Sequence, residues 1–198
     1  MENKFGFVSL SGRTNVGKST LLNAFFQKKI AITSRKPQTT RNRILGILTE
    51  EKSQIVFLDT PGVHLGYKRQ LNKVMNKIAS HCYEEVDLVL FLIDRFKWQK
   101  EEENILKSLK NLNKPVVLVI NKIDRLRDKT KLLAFIKDIS EKFNFLSIVP
   151  ISALKKDNLM ELKSVILNNL EIGSYHFPED SLTAVSYTHL TLPTTQVV

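Results

Sequence analysis

The sequence predicts an α/β fold, with a mostly parallel central sheet and helices on both of its faces. Apolar runs alternate with segments of helical period almost to the end of the chain. Several of those runs, "VDLVLFLID" and "PVVLVIN" among them, are apolar nearly throughout, which is the pattern of strands buried on both faces. A glycine-rich stretch, "GRTNVGKST" from Gly12 to Thr20, follows the first run directly. Ligands in such sheets sit at the carboxyl ends of the strands.

The elements follow in order. Phe5 to Leu10 reads as a strand, and Lys18 to Gln27 as a helix whose apolar face is Leu21, Leu22, Phe25 and Phe26. Arg41 to Thr49 and Gln54 to Leu58 are two more strands. After Pro61 and Gly62, the residues Leu71, Val74, Ile78 and Cys82 fall at helical spacing. "VDLVLFLID" is then a buried strand, Glu101 to Leu112 a helix, and "PVVLVIN" a second buried strand. Leu132, Ile136, Ile139 and Phe143 mark one helix face, "LSIVPIS" is a strand, and Leu159 to Leu170 is the last helix. Phe96 and Trp98 read as loop packing.

At 198 residues and 42% hydrophobic, the chain can bury one sizeable core. Its start carries no basic head followed by an apolar stretch, and no segment approaches the ~18 apolar residues that span a bilayer. The expectation is a soluble, unexported protein. The single cysteine, Cys82, excludes an internal disulfide framework and reads as an inert, buried thiol. A formal net charge of +10 exceeds what one nucleotide requires and suits RNA, as it also suits a lysine-rich solvated surface. From Ser181 to Val198 there is no Asp, Glu, Lys or Arg, although a quarter of the chain is charged. That threonine-rich tail is expected to be foreign to the domain, frameshifted or artificially appended, with a genuine edge strand as the alternative.

The glycine-rich stretch fits G-x-x-x-x-G-K-[ST] as Gly12, Gly17, Lys18 and Ser19, between a strand and a helix as the motif requires. Glycines let the backbone N–H groups of Arg13, Thr14, Asn15, Val16 and their neighbours through Thr20 turn toward phosphates. Lys18 would bridge the β and γ oxygens, and Ser19 would offer its hydroxyl to Mg²⁺ at a helix N-terminus. The base is read elsewhere, in "NKID", Asn121 to Asp124. A carboxylate accepts two hydrogen bonds at once, and guanine offers an N1–H beside its 2-amino group where adenine has neither. Asp124 therefore selects guanine. Asn121 would tie this turn to the phosphate loop, the Lys122 stem would cover the base, and Ser152 and Ala153 in "ISALK" would give backbone N–H groups to the guanine O6. In "DTPG", Asp59 would hold Mg²⁺ through water and the Gly62 N–H would meet the γ-phosphate, with Thr60 and Pro61 between them.

These four motifs together resemble the translation-factor-related GTPases. "ITSRKPQTTRNRILGI" and "YHFPED" are similar to the bacterial Era family specifically, over residues 1 to about 180. The resemblance implies a P-loop NTPase fold of the Era G-domain type over residues 1–172, with 173–180 opening an interdomain linker. It implies a GTPase, converting GTP to GDP and phosphate, that assists maturation of the small ribosomal subunit and its RNA in the bacterial cytoplasm. Peripheral association with the inner membrane and a monomeric state are further expectations. The family's RNA-binding KH domain does not appear after Asp180, so specific binding of ribosomal RNA or the 30S subunit is not expected of this chain. Thr14 stands where the family usually has proline.

By the same resemblance, Ser34 to Arg43 is the first switch, with Thr40 as the Mg²⁺-sensing hydroxyl and Thr39 as the alternative. Many GTP switches place a water-orienting glutamine after the "DTPG" glycine, but this chain has Val63, so slow turnover is expected. In related GTPases an asparagine at the place of Asn15 helps hold K⁺ against the phosphates; a loop asparagine bonding its own backbone is the plainer role. Arg69, Lys73 and Lys77 form a basic stripe that suits RNA, a KH domain or solvent. His64, His81 and His176 lack ligand spacing. A small-molecule P-loop kinase is disfavoured by "NKID". A GTPase of transfer-RNA modification shares the four motifs but not "QTTRNR" and "YHFPED", and a pure RNA-binding module would bind RNA without nucleotide.

Overall fold

The computed structural model describes residues 3–26, 43–59, 86–126, 128 and 130–175. The first switch beyond its last residue, the segment 60–85 with its helix at Leu71 to Cys82, and residues 176–198 lie outside those described.

Among the described residues the α-helices and strands are, in order, β1 (Lys4–Ser11), α1 (Lys18–Phe26), β2 (Arg43–Glu50), β3 (Ser53–Asp59), β4 (Leu88–Asp94), α2 (Lys100–Lys110), β5 (Val116–Asn121), α3 (Thr130–Ser140), β6 (Ser147–Pro150), α4 (Leu159–Asn168) and β7 (Glu171–Ile172), with a short 3-10 turn at Ile123–Arg125 after β5. The strands form one sheet in the order β2-β3-β1-β4-β5-β6, with β7 pairing on β1. Contacts of β1 with β3 and β4, of β4 with β5, and of β5 with β6 are all parallel. Among the described strands, β2 against β3 and β7 against β1 run antiparallel. The β2–β3 register shifts between Ile44 and Gly46, an irregularity within a ladder that otherwise runs to Glu50.

Two cores lie on opposite faces, as strand periodicity requires. Val8, Leu10, Phe57, Leu90, Val119 and Ile151 pack with Leu21 and Leu22 of α1 and with Leu162 and Ile166 of α4. Their strand neighbours Val56, Leu58, Val89, Phe91, Leu118 and Ile120 pack with Ile105, Leu106 and Leu109 of α2 and Ile139 of α3. All residues of β4 up to Ile93, and all of β5, are buried. Each apolar side chain among them contributes about 1.5 to 3 kcal/mol, so the central strands anchor everything at their ends. Phe25 stacks on Phe57 at 5.7 Å, and Trp98 meets Phe91 edge-on at 6.0 Å. Phe96 lies 5.4 Å from Phe135 of α3, so both aromatic loop residues pack on elements of the same face.

The short strand β7 was not legible as a strand. β3 pairs with β1 on one side from Lys4 to Leu10, while β4 takes the other side only from Val8 onward. Glu171 and Ile172 fill the remaining side at Phe5 and Lys4, and the Gly173 N–H donates to Asn3 O at 2.9 Å. Two residues carry no periodicity of their own. The side of β1 that β4 does not reach at Lys4 and Phe5 is the side on which β7 pairs.

Candidate functional site

The carboxyl ends of β1, β3, β4, β5 and β6 lie at one edge of the sheet, and the motif residues follow them directly. Gly12 and Gly17 shape the loop after β1. Gly12 has φ +141°, and a Cβ there would lie 2.4 Å from Leu92 O; Gly17 has φ +106°, and its Cβ would lie 2.2 Å from Asn121 Nδ2. No other residue fits either place without displacement. Val16 is buried, whereas Thr14 and Asn15 are exposed, and Asn15 is itself left-handed at φ 61°. Exposure of Thr14 explains why a residue other than proline fits there.

Lys18 opens α1 and folds back over the loop, its Nζ donating to Gly12 O and Arg13 O, each at 2.6 Å. Ser19 is exposed and Thr20 half-buried in the first turn of that helix. Asp59 ends β3 with its Cα opposite Leu10, two residues ahead of Gly12, so its backbone stands at the same edge. Thr40, Thr60, Pro61 and Gly62 lie outside the described residues.

The 121–124 turn is built around one buried amide. Asn121 Nδ2 donates to Val16 O at 2.8 Å, fastening the turn to the Gly12–Ser19 loop. Its Oδ1 accepts from the backbone N–H groups of Lys122, at 2.8 Å, and Ala153, at 3.0 Å. Three loops therefore meet on a single side chain. Ser152 N–H donates to Asp157 O at 3.2 Å within a local bridge. Both N–H groups assigned from sequence to a base oxygen thus have acceptors inside the protein, because the 151–157 loop closes on itself and on Asn121. Ser152 instead brings its hydroxyl to Asp124, donating to Oδ1 at 2.5 Å, while the Asp124 carboxylate stays exposed.

Two ion-pair systems brace this edge, and neither was read from the sequence. Arg13 Nη1 donates to Gln99 Oε1 at 2.8 Å and reaches Glu102 Oε1 at 3.4 Å. Its Nε lies 2.5 Å from Glu101 Oε2, a charge contact off the N–H direction. Glu102, 1% exposed, also accepts from the Gln99 backbone N–H at 2.9 Å, capping α2. The second system joins Lys122 Nζ to Asn15 O at 2.7 Å and to Asp94 Oδ2 at 2.9 Å, with Arg95 Nε on Asp94 Oδ1 at 2.9 Å. Burial raises the Asp94 pKa, but hydrogen bonds from Lys122 and Arg95 outweigh it and hold the carboxyl below its ordinary value. The signal for Asp94 was present: a carboxylate ends an otherwise apolar strand, next to the strand that ends in "NKID".

Backbone cradle, helix N-terminus and exposed hydroxyl together suit a phosphate with a hard divalent cation. Among the described residues no group of three or more His, Cys, Asp or Glu could hold a metal, and no helix is long and apolar enough to cross a membrane.

Comparison with known proteins agrees with this arrangement. The chain is 50% identical over 178 residues to the GTPase Era of Haemophilus influenzae, covering 90% of this chain and 59% of that protein. It spans about three fifths of the length of the curated relatives it matches. A crystal structure of Era in complex with MgGDPNP and nucleotides 1506-1542 of 16S ribosomal RNA superposes with a TM-score of 0.79 at 44% identity, over 92% of this chain and 62% of that one. Aquifex aeolicus Era bound to GDP and aluminium fluoride gives 0.78 at 44%, with the same coverage. The family model described as 50S ribosome-binding GTPase matches residues 7–122, from within β1 through Asn121 and Lys122. That match takes in more than half of the chain, which therefore belongs to this family of P-loop GTPases.

Proposed function

We propose that the chain binds GTP and hydrolyses it to GDP and phosphate, as a switch assisting small-subunit ribosome assembly and ribosomal RNA maturation in the bacterial cytoplasm. The observation that carries the nucleotide assignment is Asp124, exposed in the turn that follows β5 and oriented by the Ser152 hydroxyl. A carboxylate so held accepts from the guanine N1–H and 2-amino group together, and adenine would leave it facing a lone pair. Asn121 and Lys122 fasten the base end to the phosphate end.

At the phosphate end, Lys18 would exchange its two loop carbonyls for β and γ oxygens, and the 13–18 backbone would surround them. Ser19, Asp59 and Thr40 would hold Mg²⁺, which when bound supplies positive charge against the phosphate oxygens. The Gly62 N–H would read the γ-phosphate. Val63 offers nothing that orients water, so turnover is slow, and Asn15 would compensate by helping to hold K⁺. The ribosomal part rests on the Era relatives, on the relative solved with a 16S RNA fragment, and on the net charge of +10. Residues 1–172 would form the G domain, 173–180 a linker start and 181–198 a non-native tail.

Nucleotide titrations test the assignment. GTP and GDP should bind in the micromolar range or tighter with Mg²⁺, and ATP should not compete. Asp124→Asn should turn the preference toward xanthine nucleotides, since an amide donor then meets the O2 acceptor. Retention of the GTP preference in that variant would sink the proposal.

A further inference from the structure

We infer that Asp94 is a positioning residue for nucleotide binding, acting through Lys122 on both the base turn and the backbone of Asn15. The inference rests on the guanine-nucleotide reading above and adds a residue that no motif contains.

Asp94 is the last residue of β4, and its Cα stands opposite Asn121 in the parallel β4–β5 register. Its side chain is 15% exposed, yet both carboxylate oxygens are engaged: Oδ1 by Arg95 Nε and Oδ2 by Lys122 Nζ, each at 2.9 Å. Arg95 holds a left-handed conformation at φ 54°, and its backbone N–H donates to Asn121 O at 3.0 Å. A residue with a side chain takes that conformation at a cost, which the bonds on either side of it offset. The charged end of Lys122 is thus fixed from β4 on one side and from the Gly12–Ser19 loop on the other.

Lys122 is left-handed too, at φ 64°, and a long lysine side chain has many rotamers to lose. Without a carboxylate under its ammonium, the stem that should lie along the base plane is ordered only by Asn15 O. Asp94 preorganises that stem, so that a nucleotide meets it already in place. It also sets the position of the Asn15 carbonyl, since a charge-assisted bond from a fixed ammonium is directional and short. Touching no nucleotide atom itself, Asp94 acts by holding the residue that does.

The test compares GDP binding, with Mg²⁺, in the unaltered chain, Asp94→Asn, Lys122→Met and the double variant, alongside melting temperatures with and without GDP. Asp94→Asn keeps the shape and removes the charge. It should weaken GDP roughly tenfold, lower the nucleotide-free melting temperature only slightly, by the ion pair's own contribution, and shrink the rise that saturating GDP produces. In the Lys122→Met background the same change should cost no further affinity, because the two residues act as one unit. Unchanged GDP affinity in Asp94→Asn, or full additivity in the double variant, would overturn the inference. So would equal losses of melting temperature with and without GDP, which mark a purely structural carboxylate. If Lys122→Met does not fold, the GDP-induced rise in Asp94→Asn alone decides. Binding of GDP no tighter than ADP by the unaltered chain would remove the guanine reading and this inference together. Guanine preference intact but insensitive to Asp94→Asn removes only the role of Asp94.

Discussion

The Gly12–Ser19 loop takes its shape from backbone conformation, with Gly12 and Gly17 at positive φ against Leu92 O and Asn121 Nδ2. The segments 121–124 and 151–153 are held instead by side chains: Asn121 on three partners, Ser152 on Asp124, and Asp94 on Lys122. Close approach to a glycine is all or nothing, since a methyl group 2.2 Å from the Asn121 amide, which three hydrogen bonds fix, must displace it. Side-chain bonds weaken in steps. Changes at the first region should therefore act abruptly, and changes at the second should be graded by how many partners are lost.

The largest effect is expected at Gly17. Gly17→Ala forces a Cβ against the Asn121 amide in a conformation that L-residues rarely adopt. The cost is about 3 kcal/mol, on the order of a hundredfold in GDP affinity by calorimetry. Thr14→Ala, at an exposed position of the same loop, keeps the backbone N–H, serves as the control and should bind as the unaltered chain does. Comparable losses in the two variants would mean that loop shape is not governed by its glycines.

Next comes Asn121→Ala, which removes three hydrogen bonds and leaves Val16 O and the buried Ala153 N–H without their partner. Stability should fall by about 3 kcal/mol, or roughly 6 to 12 °C in melting temperature, even without nucleotide. A loss confined to nucleotide affinity would show that Asn121 is not the structural joint between the two regions.

The smallest effect concerns pH. The folded-state pKa of Asp94 is depressed, so its stabilising contribution is present above the unfolded value and disappears as pH falls through the folded one. The stability difference between the unaltered chain and Asp94→Asn should be constant from pH 5 to 8 and should close below about pH 4. Urea titrations across that range measure it directly. A difference that grows as pH falls would reverse the sign of the assigned interaction.

Much of this was readable beforehand because it depends on local pattern. The strands around Leu90 and Leu118 were plain, since only strands buried on both faces tolerate such uninterrupted apolar runs. Helices α1, α2, α3 and α4 fall within a few residues of the expected spans. The expected helix face Leu132, Ile136, Ile139 and Phe143 packs on one core, although α3 itself ends at Ser140 and Phe143 packs from beyond it. Gly12, Gly17, Lys18 and Asp124 were legible as types at a spacing.

What the sequence by itself determined is the set of groups delivered to one edge of the sheet, because strand order and motif spacing together place each motif at a strand's carboxyl end. Only the tertiary structure decided how those groups are held. Arg13 and Glu102 are 89 positions apart, Asn15 and Lys122 are 107 apart, and Lys122 and Asp94 are 28 apart, so no local pattern relates them. The same is true of β7, whose two residues have no periodicity and pair because β4 leaves the first residues of β1 uncovered. It holds for Ala153 as well, whose N–H could have been offered outward until the 151–157 loop brought it onto Asn121 Oδ1. Periodicity records which way a side chain faces, but a hydrogen bond across the sheet edge exists only once the strands have met.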